Sequence, residues 1–178
     1  MSELQHPSWT LPLRSGVLIL TPCPGAQQVP LNESLRQLKN SGVTALVTLL
    51  SDEELQRCGL DSFSDAVKAH DFDWFHLPIP DDDVPGEAFE SRWQQAEPLI
   101  QQHLDSNSSV AIHCKGGSGR TGLIAARLML NQGVEAEGAI SQIRALRPKA
   151  FSLAAQQDYI TQFSCSQPGK SNAYQNRD

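Results

Sequence analysis

Short apolar runs alternate with amphipathic stretches along the chain. The runs at 16–20, 43–50 and 72–77 are typical of buried strands, because they combine β-branched, aromatic and other apolar residues. A further short run, 110–112, precedes a glycine-rich segment. Since helical patterns separate these runs, the alternation predicts an α/β fold with a central, mainly parallel sheet flanked by helices.

Four of the expected helical segments precede the third strand or lie towards the C-terminal end. Asn32 is predicted to cap a helix over residues 32–40, which Gly42 ends. A short helix is predicted over residues 62–70, where Ser62 and Asp65 have capping-box spacing. Two more helices are predicted towards the C-terminal end of the sequence, near 135–146 and 152–163.

Residues 89–104 have the spacing of an amphipathic helix. Its recurring apolar positions are Phe89, Trp93, Ala96, Ile100 and Leu104. We interpret the aromatic members as core residues. Pro98 lies within the pattern and is predicted to kink or break the helix, because it lacks a backbone N–H.

Length and charge narrow the possible functions. The 178 residues fit one domain, and the formal net charge of −6 disfavours nonspecific binding to nucleic acid or to an anionic membrane. No apolar run approaches the ~20 residues of a membrane span. The first residues lack the basic start and apolar core of a signal peptide. We therefore predict no nucleic-acid or membrane partner; no oligomeric state follows from the sequence.

The four cysteines are scattered at Cys23, Cys58, Cys114 and Cys165. Without a secretion signal, this pattern disfavours a disulfide framework and predicts a reducing, cytoplasmic location. Whether Cys23 or Cys58 could form a disulfide with Cys114 is not readable from the sequence.

Residues 113–122 read His-Cys-Lys-Gly-Gly-Ser-Gly-Arg-Thr-Gly and are followed by an apolar, helix-forming run over 123–130. Small residues let successive backbone N–H groups turn towards one centre, which creates an anion-binding nest. The next helix adds its positive N-terminal end. The order strand, loop and helix predicts a cradle for a tetrahedral anion such as phosphate.

Each reactive side chain of this segment has a candidate role. Cys114 is the candidate nucleophile, because a helix N-terminus and nearby cations favour a thiolate. Arg120 can bond two phosphate oxygens with its planar fork. Thr121 can donate its hydroxyl to the sulfur, and His113 is expected to point away from Cys114 and to brace the loop. The predicted anion-binding residues are Lys115, Gly116, Gly117, Ser118, Gly119 and Arg120.

Three other interpretations of this segment are weaker. A flexible Gly-Ser linker does not fit the flanking apolar strand and helix. A nucleotide-binding loop would need Gly-x4-Gly-Lys-Ser/Thr, which is absent. His113 and Cys114 face opposite sides of a strand and have no Cys-x2-Cys partner, so a metal site is not predicted.

The pattern His-Cys-x5-Arg-Thr resembles the signature loop of cysteine-based protein tyrosine phosphatases. The resemblance implies a two-step reaction through a phosphocysteine, with no metal and no other cofactor. It also implies a general acid from another segment. The segment over 78–85, Pro-Ile-Pro-Asp-Asp-Asp-Val-Pro, resembles the acid loop of the kinase-associated phosphatase group, a dual-specificity branch. That resemblance assigns the acid to Asp81, while Asp82 and Asp83 remain alternatives.

The resemblance covers most of residues 16–163. Arg147-Pro148 and the segment 156–160 resemble the family's closing pattern. In some members a glutamine of this region helps to position the hydrolytic water; here this would be Gln156. A surface glutamine is the alternative. We therefore expect an N-terminal extension over 1–15, a phosphatase domain over 16–163 and a disordered tail over 164–178.

Two departures from the family pattern bear on substrate class. The only tyrosines, Tyr159 and Tyr174, come late in the chain, so the tyrosine-bearing recognition segment of classical tyrosine phosphatases has no counterpart. This favours a dual-specificity pocket. A lysine directly after the nucleophile, here Lys115, resembles the loop of phosphoinositide 3-phosphatases. Those enzymes have a second lysine in the loop, whereas this chain has Ser118 there.

The acidic run over 52–54 follows the second predicted strand. A helix-capping role for these residues is favoured, and contact of Glu53 or Glu54 with substrate or an arginine is the alternative.

The sequence thus predicts a phosphatase that acts on phosphotyrosine, and by its dual-specificity type also on phosphoserine or phosphothreonine. The expected partner is a phosphorylated protein or a small phosphoester. Three alternatives remain: a phosphoinositide phosphatase, an arsenate reductase, which would need a second reactive thiol, and a non-catalytic phosphoprotein-binding module.

Overall fold

A five-stranded sheet forms the centre of the computed structural model, which describes residues 3–166. The strand order is β1-β2-β5-β3-β4; β1 runs antiparallel to β2, and the other neighbours are parallel. The strands are β1 (Trp9–Pro12), β2 (Val17–Thr21), β3 (Val43–Thr48), β4 (Asp73–His76) and β5 (Ser109–His113). The helices are α1 (Leu31–Asn40), α2 (Asp52–Arg57), α3 (Phe63–Ala69), α4 (Glu87–Asp105), α5 (Gly119–Asn131), α6 (Ala136–Leu146) and α7 (Ala154–Ser166). The predicted α/β class is confirmed.

Alternate residues of each parallel strand face opposite sides of the sheet and enter two separate apolar clusters. Leu18 and Leu20 pack with α4 to α7, whereas Ile19 between them packs with α1 to α3. Because β5 lies in the middle of the sheet, helices cover it on both faces. The glycine-rich loop therefore begins at the carboxyl end of a strand that is packed against helices on both faces.

The first strand, β1, was not expected from the sequence. It is four residues long, and only Leu11 in it is buried, so it has little apolar signal. It pairs along its whole length with β2, from Trp9 opposite Leu20 to Pro12 opposite Val17. Part of the segment predicted as an N-terminal extension thus belongs to the sheet.

Three helix details differ from the expectations. Ser62 is the N-cap of α3, but its side chain forms no capping hydrogen bond, so the predicted capping box is absent. Helix α1 begins at Leu31 after an extended Pro30, and no side chain caps it, so the prediction of Asn32 as N-cap is wrong. The fixed φ of proline already suits a helix start. Helix α4 runs without a break from Glu87 to Asp105 and contains Pro98, which is exposed. Packing of its apolar face maintains the helix through the proline.

Among residues 3–166, no helix is both long and apolar enough to span a membrane. The predicted tail begins within the last turns of α7, which ends at Ser166. Its remaining part, 167–178, lies outside the described residues.

Candidate active site

Cys114 is the first residue after the central strand β5, and its side chain is buried. The hydroxyl of Thr121, in the first turn of α5, donates to the Cys114 sulfur at 3.2 Å. Strand and helix therefore hold the two residues on either side of the loop in direct contact. A donor to sulfur stabilises a negative charge there.

The loop between them is folded tightly against the end of β2. Gly117 has φ +73°, and a Cβ at this position would lie 2.6 Å from the carbonyl carbon and oxygen of Thr21. Only glycine fits such an approach without displacing backbone. Within residues 3–166, the N–H groups of residues 115–118 donate to no other group of the protein. These donors remain available for an anion.

Helix α5 begins directly at this loop. Its N-cap, Ser118, forms no side-chain capping bond, so the first-turn N–H groups also lack that partner. The positive end of the helix dipole thus coincides with the loop donors. Nearly every residue of α5 is buried, which fixes this end relative to Cys114.

Arg120 is 3% exposed and joins three separate segments. Its Nη1 donates to both carboxylate oxygens of Glu54, at 2.9 and 3.0 Å, and to the Ile79 carbonyl at 2.9 Å. Its Nη2 lies 3.2 Å from Oδ1 of Asp81. The guanidinium is therefore oriented before any substrate arrives, and two carboxylates balance its buried charge.

Glu54 performs two tasks at once. It completes a capping box at the start of α2, because Ser51 and Glu54 bond each other's backbone N–H groups. The same carboxylate holds Arg120. Both interpretations of the acidic run therefore apply to this residue: it caps the helix and contacts an arginine.

The acidic segment over 78–85 follows β4 and borders a cleft of about 570 Å³ that Lys115, Glu54 and Asp81 help to line. The Asp81 side chain is 66% exposed and reaches Arg120. Asp83 instead accepts the N–H of Val84, and Asp82 adopts a left-handed backbone with φ +55°. Asp81 is thus the member of the acidic triplet that contacts the arginine of the loop.

A family model described as "Tc-R-P: Polymorphic toxin system, DSP-PTPase phosphatase" matches residues 24–134. The chain belongs to this family of dual-specificity-type phosphatases. The match covers the segment of Asp81, the glycine-rich loop and helix α5. The membership predicted from the His-Cys-x5-Arg pattern is confirmed.

The chain is also similar in sequence to individual characterised proteins. Cyclin-dependent kinase inhibitor 3 from Rattus norvegicus is 29% identical over 75% of this chain, and the corresponding protein from Sus scrofa is 30% identical over 75%. The alignment spans 63% of the length of each of these relatives. The predicted resemblance to the kinase-associated phosphatase group is confirmed.

Solved structures share the fold. A kinase associated phosphatase with its catalytic-site cysteine replaced by serine is 22% identical, with a TM-score of 0.82 over 91% of this chain and 96% of that one. The active form of Tk-PTP is 24% identical, with a TM-score of 0.67 over 84% of this chain and 92% of that one.

His113 braces the glycine-rich loop from the side opposite to Cys114. Its Nε2 lies 2.7 Å from the hydroxyl of Thr48 on β3, and its Nδ1 lies 3.3 Å from the Cys114 carbonyl. The indole N–H of Trp74 donates to the same hydroxyl. That hydroxyl is thus free to donate to Nε2, which leaves Nδ1–H to donate to the carbonyl. Complete burial lowers the pKa of His113 to about 3, so the ring is neutral.

Gln156 lies on α7 and is 3% exposed, so the surface alternative does not describe its position. Its amide lies against Gly119 at the start of α5, where a Cβ would be 3.3 Å from Nε2. Its Oε1 has no hydrogen-bond partner within residues 3–166. A buried acceptor without a partner is costly, and a water molecule would satisfy it.

One loop contact was missed from the sequence. Arg147, at the end of α6, donates to the carbonyls of Gly116 and Gly117. The Arg147-Pro148 pair is a sequence signal for this residue. The pair does not indicate which carbonyls the arginine contacts, because they lie in a distant segment of the chain.

Proposed function

We propose that this chain is a metal-independent phosphatase that hydrolyses phosphate monoesters on proteins, namely phosphotyrosine and, as a dual-specificity enzyme, phosphoserine or phosphothreonine. The observation that carries the proposal is the buried Cys114 at a loop of unpartnered N–H groups, beside the pre-oriented Arg120. Nucleophile, anion cradle and clamp lie on one loop and on the first turn of the helix that follows it, and phosphoryl transfer requires all three.

In the first step, the Cys114 thiolate attacks phosphorus as the bond from phosphorus to the ester oxygen breaks. The N–H groups of residues 115–118 and the fork of Arg120 hold the three non-bridging oxygens. Asp81 gives its proton to the departing oxygen. Since substrate phosphate would take over the Arg120 donors, the Asp81 carboxyl becomes available for this transfer.

In the second step, water attacks the phosphocysteine and the sulfur–phosphorus bond breaks. Asp81, now a carboxylate, takes a proton from the water. The Thr121 hydroxyl stabilises the departing sulfur at the 3.2 Å contact. Gln156 orients the water, a role supported by its burial next to the loop and by its unpartnered Oε1.

The tyrosine positions support the dual-specificity type. Tyr159 does not serve as a pocket wall, because its hydroxyl is engaged by Arg127 and Glu90 between α4, α5 and α7. Tyr174 lies outside the described residues. A phosphorylated protein is the proposed partner. A reducing, cytoplasmic setting is the proposed location, and all four cysteines are unpaired, as it requires.

Arsenate reduction by the same cradle is less well supported. It would need a second reactive thiol next to Cys114. Cys23 is fully buried, and this burial raises the pKa of its thiol, which disfavours a thiolate. Cys58 is half-buried and borders the cleft, so arsenate turnover that is lost in Cys58→Ser would favour reduction instead.

The proposal is tested by hydrolysis of a small aryl phosphate in the presence of a metal chelator. Turnover is expected to survive chelation and to fall at least roughly a thousandfold in Cys114→Ser, because the nucleophile is lost. Cys58→Ser is the matched control, since this half-buried thiol borders the cleft and should be dispensable. Retained turnover in Cys114→Ser would contradict the mechanism. Parallel assays with phosphopeptides, phosphoinositides and arsenate then identify the substrate class.

A further inference from the structure

Three successive carbonyls on the outer side of the catalytic loop are held by hydrogen bonds. The N–H of Cys23 donates to the Lys115 carbonyl at 3.1 Å. Arg147 holds the next two, with Nη2 at 2.7 Å from the Gly116 oxygen and Nε at 3.0 Å from the Gly117 oxygen. One guanidinium fork therefore fixes two adjacent peptide planes.

A carbonyl held outward directs the N–H of the same peptide inward. All described peptide bonds are trans, so the C=O and N–H of each unit point in opposite directions. The peptides that Arg147 fixes carry the N–H groups of Gly117 and Ser118. These are two of the N–H groups proposed to hold the phosphate. Arg147 thus controls their direction without touching the anion.

Arg147 is itself held by the first strand. Its guanidinium carbon lies 3.7 Å from the centre of the Trp9 ring, a cation–π contact. Partial burial lowers the pKa of Arg147, and the nearby Cys114 opposes this change. Since β1 pairs with β2 from Trp9 onwards, the ring has a defined place in the sheet.

The same N-terminal segment supports the loop at a second point. His6 Nε2 lies 2.6 Å from the Thr21 hydroxyl, which also donates to the Pro7 carbonyl. The Thr21 carbonyl is the group against which Gly117 packs. Residues 6–9 therefore contact both neighbours of the loop, β2 and Arg147.

We propose that Arg147, braced by Trp9, is a positioning residue for the phosphate cradle, and that the first strand is part of the catalytic apparatus. The inference rests on the proposed phosphatase function. Neither residue lies in the segment 24–134 that the family model matches, and a domain beginning at residue 16 would exclude Trp9.

The test separates positioning from general stability by comparing Arg147, the C-cap of α6, with Arg144 in the last turn of α6. Arg147→Lys keeps the charge but loses the fork. Arg144→Lys is the matched control, because Arg144 also bonds two carbonyls, those of Ala150 and Phe151, away from the loop. Each variant of the full chain is assayed for kcat/KM on an aryl phosphate, for tungstate affinity by calorimetry and for thermal unfolding.

Arg147→Lys is expected to lower both kcat/KM and tungstate affinity by roughly tenfold, less than the ~10²–10³ in kcat typical of deleting one oxyanion donor. Arg144→Lys should change the unfolding temperature but neither catalytic measure. Trp9→Ala should lower kcat/KM and tungstate affinity in the same way as Arg147→Lys. Trp9→Phe keeps an aromatic face and should retain most of both.

Two outcomes would overturn the inference. One is unchanged tungstate affinity in Arg147→Lys; the other is a loss that Arg144→Lys reproduces at equal destabilisation. If the wild-type chain hydrolyses no phosphoester, the proposed function fails instead. The tungstate measurement still decides whether Arg147 shapes the cradle, since it requires binding and no turnover.

Discussion

At the scale of single residues, the proposed acid catalysis depends on the contact between Asp81 and Arg120. The carboxylate reaches the guanidinium at 3.2 Å while remaining mostly open to solvent. It can therefore exchange its partner when a phosphate occupies the fork. Asp81 and Asp83 each accept the N–H of the following residue, but of the three aspartates only Asp81 also contacts Arg120.

Removal of the acid should slow hydrolysis most for esters with poor leaving groups. Asp81→Asn is expected to lower kcat/KM by roughly 10²- to 10⁴-fold on a phenyl-type ester, since general acid catalysis has this magnitude. The loss of kcat/KM should be much smaller for a nitrophenyl-type leaving group, which needs little protonation. A plot of log kcat/KM against leaving-group pKa measures the difference, because this quantity reports the step in which the leaving group departs.

Asp82→Asn and Asp83→Asn are the controls for this assignment. Each removes one carboxylate from the same loop and should leave the leaving-group dependence unchanged. A greater loss of kcat/KM on poor leaving groups in either variant would assign the acid to that residue instead.

Local spacing was sufficient for residues of the loop but not for their remote partners. Cys114 and Thr121 are seven positions apart, and the strand–loop–helix order alone places them together. Glu54 lies 66 positions from Arg120, and Arg147 lies 31 from Gly116. No periodicity relates such distant positions, because the packing of whole elements brings them into contact.

At the scale of elements, α4 shows how packing overrides a local signal. Pro98 cannot donate the N–H that an α-helix needs at this point, and its ring crowds the preceding turn. The helix nevertheless continues, since Trp93, Ile100 and Leu104 are buried on one face. The proline itself is exposed and contributes little to that face.

Pro98→Ala is therefore expected to stabilise the protein. The substitution adds a backbone donor to the helix and removes the clash, which should raise the free energy of unfolding by about 1–3 kcal/mol. Urea unfolding followed by circular dichroism measures it, and kcat should not change. Leu99→Ala, at the neighbouring exposed position, is the control for a simple gain in helix propensity. A decrease in stability for Pro98→Ala would mean that the proline relieves strain instead.

The short elements were the ones that sequence patterns predicted least well. Strand β1 buries only Leu11, and its place in the sheet depends on pairing with β2. Asn32 was predicted as the N-cap of α1 because asparagine is a common capping residue. In the structure the extended Pro30 is the N-cap, and the helix begins at Leu31. Elements with long apolar faces were predicted to within a few residues.

Across the whole molecule, two buried histidines link folding to pH. Burial lowers the pKa of His6 to about 4 and that of His113 to about 3, from an ordinary value of 6.5. Both are neutral in the folded protein at neutral pH. The unfolded chain binds these protons as the pH falls below 6.5, whereas the folded chain does not. Acid therefore favours unfolding.

Stability should accordingly fall between pH 6.5 and about 4. Each histidine contributes a slope of up to about 1.4 kcal/mol per pH unit, and the slope disappears above pH 7. Urea unfolding at a series of pH values measures it. His113→Gln should be less stable at every pH but should have a shallower slope, and the double change with His6→Gln a shallower one still. An unchanged slope in both variants would show that carboxylates account for the acid sensitivity.

The chemistry of the loop and the α/β class follow from the chain's own pattern. Apolar runs, glycines and the spacing from Cys114 to Arg120 are local, and local sterics and hydrogen bonding suffice to interpret them. The contacts of Arg120 with Asp81 and Glu54, and those of Arg147 with Trp9 and the loop carbonyls, required the packed sheet. These contacts join distant segments, and their geometry is set by burial of the apolar faces rather than by any short pattern.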